Sequence, residues 1–511
     1  MVLAQENVRT LSSSQAVVTT DLNHTDRLLF ERLAAIFGVF SVHGEELWGS
    51  TFQFDKNPLM LVHRDNEGNF PFAYLLNHPS AASLPNSELV PIDGLPPAYK
   101  LTDVPNKVLL NEHIIFDFGM TIGDTPTFIM VYNGAINAGP YLNPGSDVWA
   151  SFLVHEGFHD QQFSSWKSSF NFIQNAANYP LAANDIASIH LEHLLLIDAL
   201  NAPNKQMRHE ALKRFVAVRS ERMKASELVN YMDGPQERYE GTALYLEYRL
   251  EEFLPNPKQL SMNERLSHAL RPNANRHDLT LARFYVTGAA LSYLLDEVGI
   301  EWKPLIEMGQ SQFKVLDDYF ALSDVEKSSS LNETRELYDY PGLQIKAVNT
   351  AKAVENDQRT SFNYLDNRGD YIEEIEKPYD LLSESIILDS IPEGYKFLGS
   401  FTADKDELGV WLETFSPAGN TVTFMDYGFV DYRLRITKSA FDGKLHEVES
   451  LAWNKDANLS KIGNKEVSVA SRKKQFWTLT EVKFVHDGYG YVITGLFERD
   501  ILFEIVKDII K

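Results

Sequence analysis

The sequence predicts an α+β protein, and three observations predict it. Between about residues 46 and 135, short apolar runs (LMLVH, FAYLL, HIIFDF, TFIMVY) are separated by Asp, Asn, Gly and Pro, the texture of strands and turns. From 146 to 310 the apolar residues recur at helical spacing. From about 383 to 511 strand texture returns, in YKFLGSF, VWLETF, TVTFMDY, YRLRIT and KFVHDGYGYVITGLF.

Taken in order, residues 1 to 20 are rich in Ser, Thr, Gln and Asn, bury little, and read as a flexible arm. Thr25 and Asp26 are candidate caps for a helix whose apolar positions are Leu29, Leu33, Ile36, Phe37 and Phe40. After the first strand-like region, Ser146-Asp147 starts a helix over VWASFLVHEGFHDQQF. Further helices follow around HLEHLLLIDAL, EALKRFVAVRSERM, QERYEGTALYLEYRLEEFL and RFYVTGAALSYLLDEVG. Between 320 and 380 the chain turns polar, which predicts a linker or an irregular edge. The chain closes with a helix bearing Ile501, Leu502, Ile505, Val506 and Ile509. The residues from 379 to 511 thus form a small α+β unit.

Composition excludes several classes. The 511 residues carry 71 acidic and 47 basic side chains, a formal charge of −24. Such acidity argues against broad contact with nucleic acid or an anionic membrane, and no apolar run is long enough to span a bilayer. Cysteine is absent, so there are no disulfides, thiolate metal sites or cysteine nucleophile, and any metal must be held by His and carboxylates. The start, MVLAQENVRTLSSSQ, lacks the charged and apolar regions of an intact signal peptide, though its Ala-Gln junction fits a cleaved remnant. With the lack of cysteine, this leans toward an exported bacterial protein and leaves a cytoplasmic one open.

The specific motif is His155-Glu156-Gly157-Phe158-His159, an H-E-x-x-H. On a helix, histidines four residues apart share a face and can share an ion. Glu156, about 100° further round, can reach a water at that ion without ligating it. Val148 and Phe152 precede His155 on one stripe, which is expected to pack inward. Counting every acid as Glu, at most about 0.05 matches to this pattern are expected by chance in a chain of this composition. Zinc needs a third protein ligand and an open position. Glu240 is the candidate: Gly241 and Ala243 beside it would let its helix approach the His155 helix, and Glu237 and Glu247 are its competitors.

H-E-x-x-H followed by a helix carrying E-G-x-A-x-Y resembles the zincin metallopeptidases of the gluzincin type, over about residues 146 to 300. The resemblance implies a zincin-like catalytic part over 21–378, N-terminal strands followed by a helical half, with 379–511 as an accessory domain. It implies one zinc ion held by His155, His159 and Glu240, with Glu156 as general base in the hydrolysis of a peptide or protein substrate. In thermolysin-like members an acidic residue four positions after the third ligand orients a zinc histidine; here that position is Leu244, and Asp160 or Glu247 is left to supply the support. The Tyr285-Val286-Thr287-Gly288 stretch resembles the aminopeptidase context in which a tyrosine hydroxyl donates to the oxyanion. This makes Tyr285 the candidate, with Arg283, Tyr239 and Tyr293 as alternatives. No third histidine of metzincin spacing follows His159.

Weaker signals remain. His190-Leu191-Glu192-His193 reads as a second metal site or as a polar stripe on a helix. Arg219 and Arg222 pair with acids such as Glu221 or with a substrate carboxylate, an internal ion pair being the commoner outcome. The C-terminal aromatics Tyr395, Phe397, Trp411, Phe424, Tyr427, Tyr432, Phe476 and Trp477 form a sheet core or a binding face. The functional reading is a zinc peptidase; its alternative is a zincin-like binding or scaffolding protein with little turnover, against which the intact Glu156 argues.

Overall fold

Asn23, not Thr25 or Asp26, caps the first helix: its side chain accepts from the Asp26 backbone N–H. Asp26 is instead buried, its carboxylate accepting from the hydroxyls of Tyr74 at 2.8 Å and Tyr132 at 2.7 Å. A buried carboxylate needs such donors, and these two tie the helix to the sheet beneath it. Burial and the neighbouring Asp26 charge push both tyrosines above their ordinary range.

The computed structural model describes residues 22–104, 116–133, 139–146, 148–167, 179–255, 260–270, 278–365, 371–376, 396–404, 421–429, 432–441, 445, 458–473, 478–495 and 499–511. In chain order they form α1 (His24–Leu47), β1 (Leu59–His63), β2 (Phe72–Leu76), β3 (Ser87–Val90), β4 (Ala98–Leu101), β5 (Phe116–Ile122), β6 (Thr125–Tyr132) and α2 (Trp149–Ser165). Next come α3 (Ala183–Leu200), α4 (Lys205–Ala225), α5 (Glu227–Gln236), a π-helical turn (Glu237–Gly241), α6 (Thr242–Phe253) and α7 (Met262–Ala269). A second π-turn (Asp278–Ala282) leads into α8 (Arg283–Val298), α9 (Lys303–Glu307), α10 (Gln312–Phe320), α11 (Asp324–Leu337) and α12 (Tyr340–Thr360). The remainder is β7 (Ser361–Leu365), β8 (Tyr371–Glu376), β9 (Lys396–Asp404), β10 (Thr421–Phe429), β11 (Tyr432–Ala440), β12 (Asn458–Ile462), β13 (Lys465–Lys473), β14 (Thr478–His486), β15 (Tyr489–Gly495) and α13 (Arg499–Ile509). The arm over 1–20 lies outside the described residues, as does Asp147.

The architecture is α+β, and the contacts divide the chain into two units. The first comprises Met1–Lys167, Thr242–Arg265 and Lys303–Gly309. Its sheet has the order β3-β4-β2-β1-β6-β5, antiparallel except for the parallel β1–β6 pair. Met60, Val62, Ala73, Leu75, Ile129 and Val131 fill one face. In α2 every residue from Leu153 to His159 is buried, nearly two turns in succession, so the helix is enclosed on all sides over that stretch. The expected inward stripe through Val148 and Phe152 is therefore not what buries the motif; both residues are only half-buried.

Gly157 is the tightest point of that enclosure. A Cβ there would stand 2.5 Å from Cε2 of Phe54, a ring itself packed against Phe37, Phe40 and Phe52. Gly157→Ala gains about 1 kcal/mol of helix propensity, but overpacking a ring that cannot retreat costs about 1–3 kcal/mol or more. A net loss of stability is expected in denaturant melts, and a stabilised variant would refute the packing account.

The second unit comprises Ser168–Gly241, Leu266–Trp302 and Gln310–Lys511. Where the sequence predicts a linker or irregular edge over 320–380, the chain forms α11, α12 and the β7–β8 pair. Ser323 and Glu326 close a capping box at the start of α11. The apolar stripe is only thin, with Leu331 buried on α11 and Tyr340, Ala347 and Val354 on α12, so the polar residues that suggested a linker occupy the outer faces. The C-terminal sheet is antiparallel, in the order β12-β13-β14-β15-β11-β10-β9. Helix α13 buries Leu502, Ile505 and Val506 against Ile436, Val467, Val482 and Ile493, while Ile501 stays exposed. Tyr395, Trp411, Phe476 and Trp477 lie outside the described residues. Among the described residues no helix is long and apolar enough to cross a membrane.

Candidate metal centre

His155 and His159 stand one turn apart on α2, buried at 6% and 4% exposure. Their rings are held from behind. Nδ1 of His155 lies 3.1 Å from Oε2 of Glu247 on α6. Nδ1 of His159 lies 2.7 Å from Oε1 of Gln162, whose Nε2 donates to Oγ1 of Thr242 at 2.9 Å. In this orientation the oxygen of Gln162 faces the histidine and its nitrogen faces the threonine. With hydrogen on each Nδ1, the tautomer these neighbours suit, each Nε2 is the atom that can ligate.

Those two Nε2 atoms face each other at 3.1 Å. A hydrogen bond between them or an ion shared by both accounts for such a distance. Two nitrogens bound at 2.0–2.1 Å in tetrahedral geometry stand about 3.3 Å apart, close to what is seen. The carboxylate of Glu240, buried at 4% exposure, completes a group whose ligand atoms all lie within 4.8 Å of one another. The donor set, two imidazoles and a carboxylate without cysteine, suits a borderline divalent ion. The residues thus fit a metal ion.

The competitors of Glu240 have other duties. Glu247 orients His155, taking the supporting role left vacant by Leu244, seven residues after Glu240 instead of four. Glu237 receives two hydrogen bonds from Arg219, at 2.9 Å each. One expectation changes. Gly241 was expected to admit the His155 helix; it meets α8 instead, where a Cβ on Gly241 would stand 2.3 Å from Cα of Gly288. The contact with α2 is made by α6, through Thr242 and Glu247. Sequence reasoning missed Gln162 and Thr242, although Gln162 lies three residues after His159 and so on the same helix face.

Glu156 is buried within α2. Tyr285 sits half-buried in the first turn of α8, three residues before Gly288. Of its alternatives, Arg283 is committed elsewhere, its Nη2 donating to Asp233 at 2.9 Å and to the Tyr179 hydroxyl. Tyr239 is buried in the π-turn, and Tyr293 is half-buried on α8.

The second unit holds a buried charge cluster. Arg219 lies between Glu192 and Glu237 with two hydrogen bonds to each. Arg222 reaches Glu192 at 2.8 Å and Asp233 at 3.1 Å. The arginine pair thus finds Glu192, Asp233 and Glu237 in place of Glu221. Glu192 being so engaged, the His190–Glu192–His193 stretch forms no ligand group among the described residues. Burial pushes the Glu192 carboxyl up, but Arg219 and Arg222 outweigh it and hold it below the usual range; for Asp233, Arg283 leads the same reversal. Burial, then Arg283 and His190, hold His193 well below its ordinary 6.5.

These shifts fix the sign of an acid response. All three groups resist protons more in the folded than in the unfolded chain, so their stabilisation is complete above the unfolded values and is lost as pH falls. Loss is expected to begin below about pH 6.5 through His193, at up to about 1.4 kcal/mol per pH unit, and to steepen below about 4.5 through Glu192 and Asp233. His193→Phe should flatten the upper limb and keep the lower one. Thermal melts across pH check this, and an unchanged upper limb would count against it.

A comparison with protein-family models, curated proteins and solved structures finds no match to this chain.

Proposed function

We propose that the chain is a zinc-dependent peptidase that hydrolyses peptide bonds in a peptide or protein substrate. The observation that carries this reading is the approach of the two Nε2 atoms to 3.1 Å, with Glu247 and Gln162 against the two Nδ1 atoms and Glu240 in the same group. His155 and His159 would hold the ion through Nε2 and Glu240 through a carboxylate oxygen. When bound, zinc supplies Lewis-acid polarisation of the scissile carbonyl and acidifies a coordinated water.

The chain's own residues do the rest. Glu156 takes a proton from the attacking water at its carboxylate as the new carbon–oxygen bond forms. It then delivers that proton to the amine as the carbon–nitrogen bond breaks. Its burial strips water from around the carboxylate, which suits a group that must hold and release a proton. Tyr285, on the helix that crosses Gly241, is proposed to donate its hydroxyl to the oxyanion. Glu247 and Gln162 stand against the two Nδ1 atoms and orient the imidazoles.

The test is metal content of the purified chain together with hydrolysis of a broad quenched-peptide library. Stoichiometric zinc with chelator-sensitive cleavage is expected. Zinc without cleavage would favour a binding or scaffolding protein, and no bound metal would refute both readings.

A further inference from the structure

Glu237 and Glu240 lie three residues apart, yet one is buried against Arg219 and the other belongs to the candidate ligand group. In an α-helix such residues sit about 60° apart on one face. The π-turn over Glu237–Gly241 widens the helix by a residue per hydrogen-bonded ring and spreads them further. A turn of this kind persists where its surroundings hold it, and here they do so at both ends. At the first end, Arg219 donates to Oε1 and Oε2 of Glu237 at 2.9 Å, and Thr287 Oγ1 donates to Oε1 at 2.7 Å. Gln312 Nε2 donates to the backbone carbonyl of Glu237 at 2.9 Å. At the other end Gly241 crosses Gly288, which is bounded in turn by the Glu237 backbone: a Cβ on Gly288 would stand 2.3 Å from Glu237 O.

We propose that Glu237 is a positioning residue for Glu240: its carboxylate, gripped by Arg219 and Thr287, locks the π-turn in the register that offers Glu240 to a metal. The inference rests on reading Glu240 as a ligand. Glu192 supplies the control, because it grips the same Arg219 from α3 and has no part in the π-turn.

The experiment compares zinc affinity, by competition with a chromophoric chelator, and the visible spectrum of the cobalt(II)-substituted full-length protein. The variants are Glu237→Gln, Thr287→Val and Glu192→Gln. Loss of an outer partner of a metal ligand typically costs 10–100-fold in affinity. Glu237→Gln should fall in that range and alter the cobalt bands. Thr287→Val removes one donor at nearly constant volume; it should shift affinity the same way by a smaller factor, and it carries the test if Glu237→Gln does not fold. Glu192→Gln should lower thermal stability while leaving affinity within about twofold and the cobalt bands unchanged. Equal weakening by Glu237→Gln and Glu192→Gln would reduce Glu237 to a structural role and overturn the proposal. Wild-type affinity and spectrum in both Glu237→Gln and Thr287→Val would do the same. His155→Ala separates this from failure of the metal reading: if it binds zinc as tightly as the wild type, the ligand assignment falls first.

Discussion

Glu156→Gln is expected to keep its zinc and lose about 10²–10⁴-fold in turnover, the range that general acid–base catalysis usually supplies. The amide keeps the shape of the acid and can still hydrogen-bond in the enclosed interior of α2, so the fold has little reason to change. What it cannot do is accept a proton. Metal content by atomic absorption and steady-state cleavage of one peptide give the two readings needed. Turnover near that of the wild type would remove Glu156 as the base. Loss of zinc along with activity would make it a ligand.

Glu240→Ala should weaken zinc binding by more than the 10–100-fold expected when only an outer partner is lost. The variant deletes one of three protein donors and leaves two imidazoles alone on the ion. Glu247→Ala, which removes only the acceptor behind His155, should fall within the 10–100-fold range. Titrations must share one pH, since protons compete with the metal for every donor. Equal losses in the two variants would erase the distinction between ligand and support, and wild-type affinity in Glu240→Ala would move the third ligand elsewhere.

The sequence made the candidate ligand group legible because its pattern is rare. Two histidines at helical spacing with an acid between them seldom arise by accident, and Glu240 stood out beside small neighbours. What small neighbours admit was not legible. Gly241 could have faced either of two helices, and only packing decides that it faces Gly288. The buried cluster was half-read. Arg219 and Arg222 announce that acids are near, but Glu192, Asp233 and Glu237 come from three other segments, and no local pattern names them. The strands LMLVH and FAYLL are β1 and β2 to the residue, since an apolar run between turn formers has few other uses. Helices α11 and α12 were hidden by their own solubility: two or three buried residues per helix, among those described, leave a sequence that looks like a linker.

Pattern notation writes the middle of H-E-x-x-H as two unspecified letters. In this chain the first of them is closed. The Phe54 ring occupies the space any side chain at 157 would need, so the freedom implied by the letter is chemical only. A library randomised at 157 and 158 and selected for folded protein should return glycine at the first position whatever the selection asks of catalysis. Grafting the five residues onto another helix would likewise carry over the ligands without the hollow that this glycine makes room for. The motif is portable as a search string; as a piece of architecture it ends at Phe54.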